Sequence, residues 1–275
     1  MTINVPSEPK FITSAANADI KLLRSLHERK FRKQTGWFLA EGLRICNEAL
    51  AQGFAPKRLV VADGQQENKM IAELIIACEL SGGRSLVVKP SLLERISRKD
   101  NPQIVICAFQ QKWSSLSNVV PQDNACWIAL DRVRDPGNLG TIMRTADAVG
   151  AAGVILINDC TDPFSLESVR ASMGAVFNVG IIKTTTVEFI RFAGRWPAPI
   201  IGTALIGSID YRKAGWQLPS ILLMGNEQSG LTDELVSIST ELIRLPMRGQ
   251  SDSLNLAVAT GICLYEMHRT MPEHI

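Results

Sequence analysis

The chain has 275 residues, of which 46% are apolar and 20% charged, and its formal net charge is +2. That length holds one large domain or two modest ones, the apolar fraction excludes wholesale disorder, and the small net charge confines any nucleic-acid footprint to a local patch. Residues 1–10 lack the apolar core of a secretory signal, and no unbroken apolar stretch reaches the ~18 residues of a membrane helix, so the expectation is a soluble, cytoplasmic protein.

In chain order, residues 1–16 are polar and read as a loose tail. A helical pattern begins near Asn17, with Ile20, Leu22, Leu23 and Leu26 apolar. It runs into a basic stretch in which Lys21, Arg24, Arg29, Lys30, Arg32 and Lys33 stand against Glu28 alone. Such a charge run is either a solvated helix face or a contact for an RNA backbone. Gly36 breaks it. Residues 37–40 then read as a strand, 41–52 as a helix ended by Gly53, 57–62 as a strand and 67–80 as a helix stopped by Gly82 and Gly83. Residues 85–88 read as a strand, 91–97 as a short helix and 103–109 as a strand. The alternation predicts a small α/β domain over 17–112, and the polar, aperiodic stretch 113–124 a linker.

A second alternation fills 125–275. Strands are expected at 125–130, 153–157, 179–182, 200–204, 221–224 and 242–245, and helices at 137–149, 165–173, 232–237 and 253–269. Near-continuous apolar strands between helices predict a mainly parallel sheet covered on both faces. The cysteines Cys46, Cys78, Cys107, Cys126, Cys160 and Cys263 form no Cys-x-x-Cys pair and read as buried thiols of a reducing compartment. His27, His268 and His274 show no ligand spacing to them, so no metal is expected.

Three segments combine a strand end, a loop and a helix start, the place where open α/β sheets bind ligands. The first is Asp131-Arg132-Val133-Arg134-Asp135-Pro136-Gly137-Asn138-Leu139-Gly140, with Arg144 six residues beyond Asn138. Asn138 and Arg144 could converge on a substrate, or be a helix cap and a solvated side chain. The second is Gly225-Asn226-Glu227-Gln228-Ser229-Gly230-Leu231. Gly225 permits close backbone approach to a ligand, and a capped turn before Thr232 accounts for Asp233 and Glu234 but not for Asn226 and Glu227. The third is Leu245-Pro246-Met247 through Ser253-Leu254-Asn255, in which Ser253 is a candidate N-cap. The fingerprints of dinucleotide-binding sites, triphosphate P-loops and nucleophile elbows are missing.

Together these motifs resemble those of the SpoU/TrmH family of RNA methyltransferases in the SPOUT superfamily, over about residues 126–267. Val169-Arg170-Ala171-Ser172-Met173-Gly174-Ala175 is similar to a further family segment, and Phe38-Leu39-Ala40-Glu41-Gly42 to the start of the family's N-terminal RNA-binding domain. Gln228 departs from the glycine that often follows Gly-Asn-Glu in the family.

The resemblance implies an α/β fold with a small RNA-binding domain, and a C-terminal domain carrying a deep trefoil knot. It also implies a homodimer and S-adenosylmethionine as methyl donor, bound by Gly225, Asn226, Leu245, Met247 and Leu254. It implies methyl transfer to a ribose 2′-hydroxyl, in ribosomal rather than transfer RNA, with Arg144 as the leading catalytic residue supported by Asn138, Glu227, Ser253 and Asn255. Arg170 joins Lys21, Arg24, Arg29, Lys30, Arg32 and Lys33 as a candidate RNA contact. A non-catalytic RNA-binding or ribosome-assembly protein and a small-molecule methyltransferase are the competing readings.

Overall fold

The structure is a computed structural model that describes residues 9–121 and 126–269. Its elements begin with β1 (Lys10–Ile12), α1 (Ala18–Ser25), α2 (Arg29–Thr35), β2 (Trp37–Glu41), α3 (Leu43–Ala51), β3 (Arg58–Ala62), α4 (Lys69–Leu80), β4 (Arg84–Val88), α5 (Pro90–Ser97) and β5 (Val105–Gln110). They continue with β6 (Cys126–Asp131), α6 (Pro136–Ala148), β7 (Gly153–Ile157), α7 (Leu166–Ser172), β8 (Gly180–Thr184), α8 (Thr186–Ala193), β9 (Ile200–Thr203) and β10 (Ile209–Asp210). The last are β11 (Ser220–Met224), α9 (Asp233–Ser237), β12 (Glu241–Arg244) and α10 (Leu256–Arg269). They fall into two compact units, one of Met1–Gln111 with Phe164–Phe177, the other of Lys112–Pro163 with Asn178–Ile275.

The first unit is built on a five-stranded sheet in the order β1-β4-β3-β5-β2. Pairings within β1, β4 and β3 are parallel, and β5 runs antiparallel to β3 and β2. Strand β1 corrects the reading of a loose tail at Lys10–Ile12, which pairs with Leu86–Val88; residues 1–8 of that tail lie outside the described residues. The single basic helix is also corrected: it breaks after Ser25, and α2 starts at Arg29. The cause is Arg32, whose buried guanidinium donates to the carbonyls of Leu26 and His27 at 2.8 Å each, capping the end of α1. Ile20, Leu23, Val60, Leu86 and Ile106 form the core between helices and sheet.

Residues 164–177 cluster with this unit rather than with the surrounding chain. Phe164 and Phe177 place their rings 4.8 and 5.6 Å from Phe38, and Arg170 pairs with the buried carboxylate of Glu41 at 2.6 Å. A domain drawn as continuous from 125 onward therefore differs from the compact unit the chain forms.

The second unit is a seven-stranded sheet in the order β10-β12-β9-β11-β6-β7-β8, with every pairing parallel. Its central strands β6, β7 and β11 are buried along their whole length, as the apolar runs dictate. Ile155, Ile182, Phe189, Ile221 and Leu223 fill one side of it. Helix α8, absent from the sequence-based expectation, is fixed by a capping box in which Thr185 and Glu188 satisfy each other's backbone N–H. The expected linker is partly ordered, since Ser114 bridges Ile182 at the β8 edge and Leu116–Asn118 form a 3₁₀ turn; 122–125 lie outside the described residues. Among the described residues no helix is long and apolar enough to cross a membrane.

Candidate active site

All strands of the second sheet point the same way, so β6, β11 and β12 end at one edge and release their loops there. After β6 the backbone turns sharply at Arg132, whose φ of 54° lies in the left-handed region. Four interactions hold it: its N–H donates to Ile157 O at 3.2 Å, its carbonyl accepts from Asn226 Nδ2 at 2.8 Å, and its guanidinium reaches Asp131 at 2.8 Å and Gly230 O at 3.2 Å. Asp131 is wholly buried, and its hydrogen bond raises the pKa of the Arg132 guanidinium. Asp135 then caps α6, accepting from Asn138 N at 2.6 Å, with Pro136 in the first turn.

The loop after β11 is a closed ring. Asn226 and Gly230 exchange both backbone hydrogen bonds at 3.1 and 2.9 Å, and Asn226 Oδ1 accepts from the N–H groups of Gln228 and Ser229. Gly225 must be glycine, because a Cβ there would lie 2.3 Å from the carbonyl carbon of Gly230. After β12 an irregular segment leads to α10. Its cap is Asn255, whose Oδ1 accepts from Ala257 N and Val258 N at 2.9 and 3.3 Å. This corrects the reading of Ser253 as the cap, since the helix starts at Leu256.

Side chains join the three loops. Asn255 Nδ2 donates to Asn138 Oδ1 at 2.8 Å, and Asn138 Nδ2 donates to Glu227 Oε1 at 3.3 Å. Glu227 Oε2 accepts from Arg134 N at 3.4 Å and from Asn226 Nδ2 at 3.5 Å. Two clefts flank the ring. One, of about 330 Å³, has an apolar floor of Met224, Ile243, Leu245, Leu256, Ala259 and Cys263 and a rim that includes Asn226, Asp252 and Ser253. The other, of about 420 Å³, is polar and lined by Arg132, Arg134, Asp135 and residues 226–229. The ring residues Asn226, Glu227 and Gln228 belong to both.

Residues 125–265 match the model of the SpoU rRNA methylase family. The chain belongs to that family. Residues 17–107 match a second model, the MRM3-like substrate binding domain. An AdoMet-bound rRNA methyltransferase from Sinorhizobium meliloti is 44% identical, with a TM-score of 0.91 over 96% of this chain and 99% of that one. The 23S rRNA (uridine(2479)-2′-O)-methyltransferase of Streptomyces viridochromogenes is 31% identical over 89% of this chain and 86% of its own. The 23S rRNA (guanosine(2553)-2′-O)-methyltransferase of Bacillus subtilis is 28% identical over 94% and 99%.

The five residues named from the family as cofactor-binding, Gly225, Asn226, Leu245, Met247 and Leu254, all line the apolar cleft. Of those named as catalytic, Asn138, Glu227 and Asn255 form the hydrogen-bonded chain and Ser253 stands on the cleft rim. Arg144 is not brought to either cleft. It is exposed on α6, six residues past Asn138, and among the described residues it makes no hydrogen bond or ion pair. Arg132, Arg134, Asp131 and Asp135 belong to the site's framework, yet sequence reasoning singled out none of them.

In the first unit Lys21, Arg24, Arg29, Lys30 and Lys33 are exposed. Arg32 is 4% exposed and occupied as a cap, and Arg170 is committed to Glu41 and to Ser97. Both side chains are engaged within the fold of the first unit.

Proposed function

We propose that the chain transfers the methyl group of S-adenosylmethionine to a ribose 2′-hydroxyl of ribosomal RNA. The observation that carries this is the Asn255–Asn138–Glu227 chain, which ties the three family motifs together beside an apolar cleft of cofactor size. Family membership and relatives that act on 23S rRNA support the substrate class.

The residues fit the cofactor. An apolar floor suits an adenine and an aliphatic chain, the irregular segment 245–255 offers backbone groups, and Asp252 and Glu227 supply negative charge for a cationic sulfur. Gly225, Asn226, Leu245, Met247 and Leu254 hold it in this reading. When bound, the cofactor supplies a methyl group already activated for transfer. The chain's own task is then alignment of the hydroxyl and removal of its proton. Asn138, Glu227, Ser253 and Asn255 orient the ribose and fix one another.

Arg144 stabilises the developing alkoxide and the neighbouring phosphate. A guanidinium with an ordinary pKa above ~12 is a poor base, so its contribution is electrostatic. Because Arg144 lies outside the clefts of its own chain, the proposal includes a homodimer that delivers it across the interface. It also includes the deep trefoil knot. Support for the knot is that α10 lies against α6 and β11 although the strand before it, β12, sits beyond β9.

The test is transfer of labelled methyl from S-adenosylmethionine to 23S rRNA taken from cells lacking the protein, with the 2′-O-methyl positions mapped. Label should appear at one or a few riboses, and RNA that stays unlabelled would sink the proposal.

A further inference from the structure

A third cleft of the second unit, of about 680 Å³, lies away from the methyl-transfer site and has no place in the mechanism. It runs between α8 and the segment that covers the β8 edge. Lys183, Arg191 and Arg195 line it, with hydroxyls from Ser114, Ser115 and Ser117. All three cations are exposed, and among the described residues none of them makes a hydrogen bond or ion pair. The lining carboxylate, Glu188, accepts through Oε2 from Thr185 N at 3.0 Å, from Thr185 Oγ1 at 3.0 Å and from Thr184 Oγ1 at 3.2 Å, bonds that lower its pKa, and the nearby Arg191 charge helps to lower it without a hydrogen bond between them. Exposed cations beside hydroxyls are the chemistry that takes a nucleic-acid backbone, whose phosphates meet the charge.

The position relates this cleft to the catalytic edge. Strand β8 is separated from β6 by β7 alone, roughly 10 Å in the hydrogen-bonding direction. Because the sheet is parallel, Thr184 at the end of β8 lies on the same edge as Asp131 at the end of β6. A polar bridge crosses the gap: Asn158 Nδ2 reaches Asp131 Oδ1 at 3.4 Å and Thr186 Oγ1 at 2.7 Å. A hydrogen-bonded path, partly buried through Asp131, thus links the end of β6 to the start of α8.

We infer that the α8 cleft is a second RNA-backbone site, which grips the strand flanking the target nucleotide through Lys183, Arg191 and Arg195. The inference rests on the chain acting on RNA, and it assigns to the methylase unit a grip separate from the N-terminal substrate-binding domain.

The experiment measures binding of a 23S rRNA transcript against salt, for the full-length protein and for Lys183→Glu/Arg191→Glu/Arg195→Glu. A milder triple variant, each to Gln, covers the case in which charge reversal disturbs folding. Each lost phosphate contact should lower the slope of log K against log salt by about 0.7–0.9, so a fall of about 2 is expected, with at least tenfold weaker binding at low salt. Affinity for S-adenosylmethionine should not change. A slope equal to wild type in the Gln variant overturns the inference. Poly-glutamate binding to wild type as tightly as RNA at matched charge would overturn RNA as the occupant. Binding is read apart from methyl transfer, so a wild-type protein that binds but never methylates counts against the proposed function and leaves this cleft to be judged on the slope.

Discussion

Asn255 does two things with one amide. Its Oδ1 caps α10 through Ala257 N and Val258 N, while its Nδ2 donates to Asn138 at 2.8 Å. Structure and chemistry can be separated by substitution. Asn255→Asp keeps the capping oxygen but sets an acceptor against Asn138 Oδ1. Methyl transfer should fall at least tenfold with little change in Tm. Asn255→Ala should lose the cap as well, about 1 kcal/mol, and lower Tm by about 2–4 °C. Thermal unfolding and single-turnover transfer distinguish the two, and equal Tm losses in both variants would refute the division.

Gly225 is where the closed ring meets its own backbone. A methyl group there would sit 2.3 Å from Gly230 C and 2.4 Å from Leu231 N, neither of which is the end of a flexible side chain. Gly225→Ala should therefore open the ring at a cost of about 1–3 kcal/mol. Because the ring lines both clefts, affinity for S-adenosylmethionine, measured by calorimetry, should drop more than tenfold. Near-normal affinity would show that the ring does not shape the cofactor cleft.

The exposed Arg144 side chain makes no hydrogen bond or ion pair among the described residues, so removing it costs the fold little. Arg144→Ala should leave Tm within the range of surface substitutions, about 0.5 kcal/mol, while transfer falls by about 10²–10³. If the residue acts across a dimer, an equimolar, exchanging mixture of Arg144→Ala and Asn255→Asp subunits should regain about a quarter of wild-type activity, because about half of the dimers are mixed and each has one intact site. Rescue absent from a mixture shown to exchange subunits would place Arg144 in its own chain's site.

The sequence made the sheet edge legible because each motif is a local event: an apolar strand, a loop with glycine or proline, then a helix. What joins those motifs is not local. Asn255 and Asn138 are 117 positions apart, and nothing in a linear pattern pairs them. The cap of α10 was misread for a related reason. Ser251, Ser253 and Asn255 all precede the same apolar run, and only geometry selects the oxygen that reaches two N–H groups. Helix α8 was legible and overlooked, for Thr185 and Glu188 spell a capping box, although the helix has only eight residues. The Arg170 pairing was not legible either, because its partner Glu41 lies 129 positions away and is buried.

The basic stretch contains its own control. Arg32 and Lys33 are adjacent, yet one is buried as a cap and the other is exposed. Arg32→Ala leaves the Leu26 and His27 carbonyls without their donor and should cost about 1–3 kcal/mol. Lys33→Ala should leave Tm unchanged and reduce the salt slope of RNA binding by about 0.7–0.9. The opposite pattern would restore Arg32 as an RNA contact and remove Lys33.

The buried thiols set an alkaline limit on stability. Burial pushes Cys126 and Cys160 up to about 11, and Cys78 and Cys263 up to about 12. In the unfolded chain the same groups ionise near 8.5. Their folded pKa values are raised, so the folded state keeps its protons where the unfolded state loses them. The resulting stabilisation is fully present below about pH 8.5 and declines as pH rises through 9 to 11. Urea midpoints should be level from pH 7 to 8 and fall steadily above 9, and Cys126→Ser should flatten part of that fall. At pH 8 a thiol reagent should label the native protein slowly and the urea-unfolded chain at all six cysteines. Rapid labelling of the native form would mean that these sulfurs are open to solvent on the time scale of the reagent.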